Sequence, residues 1–350
     1  MKRSTVKFYR TNGYVCGGFR NQVKRMKIDF TTTWIIAILC FITISATSCK
    51  KFLAAYSQNK TFVETVEDLD ELLIGEVYFR EQSGVDIFLM DDDIEMGNPF
   101  GSYSAFLFSG THFWQPNPRI TSEGSVRSSD DFFNTLYKRI AGANVVLHNV
   151  QLLREKNEPA DTLRKISGEC HFLRAYYNFM LVNMYGKPYQ QSTAATDFGI
   201  PLKNDATIRD GFFGRNTVKE VYDQILKDLL EAEQELEGFN QSSVIRVNQA
   251  AVQSLLSRVY LFMEDYENSI LYADKVISNN NYQIFDLNKY VDGSEFATRS
   301  NPENIFTTGL TIIAFTMHVL TDAPVGEFYQ VSDDLRTNYS QQDQIGRAHV

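Results

Sequence analysis

Asp91, Asp92, Asp93 and Glu95 put four carboxylates into five positions, a dense acidic cluster in a stretch rich in turn residues. Oxygen ligands so spaced could hold a hard cation, but the stretch lacks the D-x-[DN]-x-[DN]-G order that wraps calcium. Helix capping and solvated turn charges are the competing reading, and no metal or cofactor is expected. His112, His148, His171 and His318 lie far apart in sequence, as surface or helix-packing residues do. HExxH, G-x-S-x-G, G-x-x-x-x-G-K-[ST], CxxC and G-x-G-x-x-G are all missing, so no catalytic set is expected. The more informative chemistry is aromatic. Phe100, Tyr103, Phe106, Phe108, Phe113 and Trp114 fall within one short stretch. Planar rings on a loop stack against the apolar faces of sugars or grip hydrophobic peptide side chains. Trp114, Tyr103 and Phe113 are the candidate ligand-binding residues, against the alternative that such rings tuck onto the core.

Cys49 carries a second kind of chemistry. The apolar run from Trp34 to Ala46 is followed by Thr47, Ser48 and Cys49. It is too short for a span, which takes about 20 residues, and reads as a lipoprotein signal with Cys49 as the acylated first residue. Met26 and Lys27 open a normal leader, so 26–48 is the expected signal peptide and 1–25 upstream mistranslation. Residues 345–350 match the translation of a sequencing-library adapter, which makes 49–344 the expected domain and implies that its natural C-terminal part is missing. Without the leader and tail, 25 basic residues face 42 acidic ones, which argues against nucleic acid or anionic lipid as a partner. Cys170 is the one other cysteine of that segment. It excludes an internal disulfide framework and sits in a helical pattern as a buried thiol would.

The elements that must position these residues are helical. Thr61 to Glu64 reads as a capping box for a helix reaching Ile74, after which 86–118 reads as loop with short strands or turns. Phe132, Phe133, Leu136, Tyr137, Ile140, Ala143, Val146, Leu147 and Val150 form a stripe with helical spacing. A second long helix runs from Asp161 to Tyr185, stopped by Gly186 and Pro188, and should pair antiparallel with the first. Thr217 and Glu220 make a second capping box, with Val221, Ile225, Leu229, Ala232 and Leu236 on one face. Asn248 caps a helix from Ala250 to Met263, and a turn at 264–267 leads into another ending near Ser278. That last pair resembles a tetratricopeptide turn, and such pairs stack because one alone cannot bury its apolar face. Residues 304–314 read as a strand and 329–335 as a turn or helix start.

Residues 168–188, GECHFLRAYYNFMLVNMYGKP, resemble the G-E-A-x-F-L-R-A-x-x-Y-F-x-L-x-x-x-Y-G-x-x-P signature of SusD/RagB nutrient-uptake lipoproteins. Similar stretches are 137–144, 217–229, 247–261 and 332–339, with 48–53 resembling the family's mature start. Cys170 replaces the usual small alanine, and Lys50 and Lys51 supply no acidic surface-export signal. The resemblance implies a mainly α fold: tetratricopeptide-like stacked helix pairs with a loop-rich ligand-binding half, incomplete here. It also implies a non-enzymatic surface lipoprotein on the outer membrane that binds glycans, or less readily peptides, and delivers them to a SusC-like TonB-dependent transporter. A lipid-anchored tetratricopeptide scaffold for periplasmic assembly is the alternative. A hydrolase using Asp91 to Glu95 is the third reading.

Overall fold

The computed structural model describes residues 63–78, 89–96, 103–127, 131–208, 211–239, 243–286, 289, 299–307 and 329–338. Cys49 with its signal segment, the 345–350 tail, Thr61 and 308–314 lie outside the described residues.

Helix α1 (Val66–Leu72) opens on a capping box one turn later than expected. Thr65 Oγ1 accepts from the Asp68 N–H at 3.1 Å, and the Asp68 carboxylate reaches back to the N–H groups of Thr65 and Glu64. An aspartate at the third position does the work that the sequence pattern assigned to Glu64. The helix continues past Ile74 as a π turn, Leu73–Val77, because Leu69, Leu73 and Val77 are all fully buried there.

The aromatic stretch is also more ordered than loop. Tyr103–His112 is a helix, α2, preceded by strand β1 (Ile94–Met96). β1 pairs antiparallel with β2 (Tyr329–Val331), with Ile94 opposite Val331 and Met96 opposite Tyr329. A short helix, α8 (Asp333–Thr337), follows β2, so 329–335 is part strand and part helix start. The described part of the expected 304–314 strand, residues 304–307, has no strand structure.

Among the described residues five longer helices carry the fold: α3 (Asp131–Glu155), α4 (Ala160–Tyr185), α5 (Val218–Glu235), α6 (Gln249–Phe262) and α7 (Tyr266–Ile277). α3 and α4 are antiparallel. Phe133 at the start of α3 meets the Tyr185 ring at the end of α4, edge to face at 5.2 Å, while mid-helix the Cys170 thiol donates to the Ala143 carbonyl at 3.3 Å. α4 and α5 run antiparallel too, with Arg164 reaching Gln234, Arg174 reaching Asp228 and Tyr222 reaching Asn183. In the α6–α7 hairpin, Ser257 and Ser269 exchange hydroxyl-to-carbonyl hydrogen bonds. The chain is thus mainly α, built of stacked helix pairs, and α4 is its centre: Leu163, Ile166, Cys170, Leu173, Tyr177 and Leu181 are buried. Gly168 lets α5 approach it closely, because a Cβ there would lie 2.6 Å from Leu236 Cγ. Burial pushes the Cys170 thiol well above its ordinary value, as a structural thiol requires.

One polar node ties α1 to this core. Arg246, just ahead of α6, donates to the fully buried Glu169 of α4 at 2.7 Å and to both carboxylate oxygens of Asp70 in α1. Tyr78 donates its hydroxyl to the same Glu169 oxygen. Burial pushes the Glu169 carboxyl above its ordinary value, while the Arg246 charge and the hydrogen bonds from Arg246 and Tyr78 pull it partway back. No helix of the described residues is long and apolar enough to cross a membrane.

Candidate functional site

The aromatic site is built at the C-terminal end of α2. Gly110 makes the local geometry possible, since a Cβ there would overlap the Ile120 carbonyl oxygen. Its N–H donates to that oxygen at 3.1 Å, and its own carbonyl accepts from the Gln115 N–H at 2.9 Å. The returning chain closes into a narrow loop. Ile120 bridges Val126, Thr121 N–H donates to the Ser125 carbonyl, and Gly124 takes a left-handed φ of 81° at the tip. The Arg127 guanidinium then lies over the Phe108 ring, 4.8 Å from its centroid.

Phe113 and Trp114 project from this frame with relative exposures of 56% and 69%. Trp114 has a φ of 50°, left-handed for a bulky residue, at a cost of about 1–2 kcal/mol. Two hydrogen bonds to the preceding segment hold the His112 ring and the indole in place. His112 Nδ1 donates to the Leu89 carbonyl at 2.8 Å, and Trp114 Nε1 donates to the Met90 carbonyl at 3.1 Å. The indole is therefore fixed at its polar edge and open on its face. Phe113 packs edge-on against the His112 ring, centroids 4.8 Å apart. α2 has Tyr103 at its first residue and His112 at its last, roughly 14 Å of helix rise. Phe113 and Trp114, consecutive in sequence, both lie exposed just past the end of this helix, whereas Tyr103 starts its far end; the Tyr103 side chain lies outside the described residues.

The acidic turn adjoins this frame, since Asp91 directly follows Met90. Its three aspartates are exposed. Asp91 Oδ1 accepts from the Asp93 N–H, the Asp93 carbonyl accepts from the Ser332 N–H at 2.8 Å, and Glu95 accepts from the Asp333 N–H. Asp91 and Glu95 serve the turn and the β1–β2 corner as backbone acceptors. This edge thus carries two exposed rings, with exposed carboxylates in the neighbouring segment.

A second feature was not legible as a site in the sequence. A cavity of about 1630 Å³ runs along the face of α4 that carries Arg164, His171 and Arg174, with His148 of α3 and Lys227 and Glu231 of α5 on its sides. Asp228, fully buried, accepts from Arg174 at 2.6 and 2.9 Å, from His171 Nδ1 at 3.1 Å and from Gln224 at 3.1 Å. Burial alone would raise its carboxyl; the hydrogen bonds from His171 and Arg174 and the Arg174 charge outweigh that and hold it below the ordinary value. The sequence signal was an aspartate inside the apolar stripe of α5, beside Ile225 and Leu229.

Comparison with known proteins places the chain. A SusD-like family model, described as starch-binding associating with outer membrane, matches residues 55–261. A SusD superfamily protein from Bacteroides thetaiotaomicron is 23% identical, with TM-score 0.53 over 69% of this chain and 52% of its own. A putative sugar binding protein from Bacteroides vulgatus is 21% identical, TM-score 0.56, covering 71% and 55%. A SusD-like carbohydrate binding protein from Bacteroides vulgatus is 20% identical, TM-score 0.54, covering 69% and 50%. The chain thus spans about half the length of these solved relatives, and no curated protein matches it.

Proposed function

This chain belongs to the SusD/RagB family, and from that membership we propose that it captures glycans at the aromatic edge formed by Trp114 and Phe113 and delivers them to a SusC-like TonB-dependent transporter. The observation that carries the reading is Trp114: an indole 69% exposed, in a left-handed backbone conformation, with its Nε1 pinned by a backbone carbonyl. A left-handed backbone held under an exposed ring is the departure from ordinary geometry from which a binding role is inferred. The family description, starch-binding associating with outer membrane, supports a carbohydrate over a peptide and an outer-membrane setting. Acylation at Cys49 supplies the anchor in this reading, with the binding face toward the cell exterior, and chemistry on the ligand is left to other proteins.

Native electrophoresis through gels containing soluble starch or other soluble glycans tests the reading. Retardation by at least one glycan is expected. Mobility unchanged by all of them, in a protein shown to be folded, would contradict it.

A further inference from the structure

We propose that His171 and Glu231 form a binding site for a borderline divalent transition metal, of the Zn²⁺, Ni²⁺ or Cu²⁺ class, on the polar cavity where α4 meets α5. His171 donates Nδ1–H to Asp228, a buried carboxylate that Arg174 grips with two hydrogen bonds and Gln224 with a third. That support fixes the ring orientation and leaves Nε2 as the outward nitrogen, the arrangement in which a carboxylate backs a metal-binding imidazole.

Nε2 faces Glu231 Oε2 at 3.1 Å, and the Glu231 side chain is 43% exposed at the cavity wall. A nitrogen and an oxygen bound to one metal at about 2.0–2.2 Å each, at tetrahedral to octahedral angles, lie about 2.9–3.5 Å apart. The observed separation falls in that range. A small rotation of the partly exposed Glu231 side chain admits a metal between the two atoms without disturbing the core.

Asp228 acts only as the orienting group, because its oxygens already serve Arg174, His171 and Gln224. Imidazole with one carboxylate favours zinc, nickel and copper, whereas magnesium and calcium call for oxygen-rich sets. The remaining coordination positions open on the cavity, which His148 of α3 also lines. Bound metal clips α4 to α5 and presents a Lewis-acidic centre to whatever enters the groove. The site stands apart from the aromatic edge, so its test is independent of glycan binding.

Calorimetric titration of the full-length, EDTA-stripped protein with ZnCl₂, and separately with MgCl₂ and CaCl₂, provides the test. One saturable Zn²⁺ site per chain is expected, reversed by EDTA, accompanied by a raised thermal midpoint and not reproduced by magnesium or calcium. Glu231→Gln should weaken Zn²⁺ at least about tenfold. His171→Gln, whose amide can still donate to Asp228, should abolish the site. If His171→Gln fails to fold, Glu231→Gln decides the matter, since its side chain is partly exposed at the cavity wall. Absence of saturable Zn²⁺ binding, or binding that Glu231→Gln leaves at full strength, would show that His171 only bridges two carboxylates and would overturn the proposal.

Discussion

Arg246→Met should be among the more damaging single substitutions outside the apolar core. The methionine keeps the apolar stem against Tyr78, whose ring now lies 5.5 Å from the guanidinium, and removes only the charge and its donors. Glu169 is then left fully buried with the Tyr78 hydroxyl as its remaining side-chain donor, and its other oxygen, Oε1, has no partner among the described residues. Removing one member of a buried ion pair costs about 3–5 kcal/mol. Asp70 is 37% exposed and can rehydrate, and Glu169 can take up a proton, so the low end of that range, about 3 kcal/mol, is expected. In a domain of this size that corresponds to a fall of roughly 6–12 °C in thermal midpoint. Urea unfolding and calorimetry at neutral pH measure it. The double variant Glu169→Gln/Arg246→Met should recover more than about 1 kcal/mol relative to Arg246→Met, because the orphaned charge is gone. A loss under about 1 kcal/mol for Arg246→Met, or a double variant no better than it, would refute the assignment of this node as the tie between α1, α4 and α6.

Gly110→Ala should displace the 113–127 loop, because its Cβ meets the Ile120 backbone; glycan affinity is expected to fall with Trp114 still present, and limited proteolysis should cut the loop sooner. At the start of α5, the Thr217 N–H and then the Asn216 and Thr217 side chains hold the Glu220 carboxyl below its ordinary 4.5. Its contribution to stability is therefore complete above that value and lost as the pH falls through the lowered one, so Glu220→Gln should destabilise the protein at neutral pH and match the wild type in strong acid. Equal differences at both pH values would count against the cap.

The long helices were legible because their signals are local and repeated. The α3 stripe, the Gly186–Pro188 stop, the Thr217 box and the Asn248 cap each need only a few neighbouring residues, and each is in place. α2 was hidden because its aromatic, serine and glycine content favours no helix; its Gly110 earns its place through contact with Ile120, ten residues on. β1 was hidden for a different reason, since its three residues are defined by a partner more than 230 positions away. Of the candidate site, the ring types were visible at Phe113 and Trp114, but the Met90 carbonyl that holds the indole and the Leu89 carbonyl that holds His112, against which Phe113 packs, were not. The Arg174–Asp228 pair shows the same limit: the arginine belongs to a recognisable run, while its acceptor lies 54 positions later on another helix.

Glycan capture at Trp114 is tested most directly by calorimetric titration of Trp114→Ala against wild type, with a glycan that retards the wild-type protein. The indole is 69% exposed and makes its one polar contact at the protein edge, so the thermal midpoint should stay close to that of wild type. Affinity should fall by roughly 1–3 kcal/mol, about 5- to 150-fold, the loss of one aromatic anchor. Unchanged affinity in a variant of unchanged stability would contradict the claim and place the glycan elsewhere on the protein.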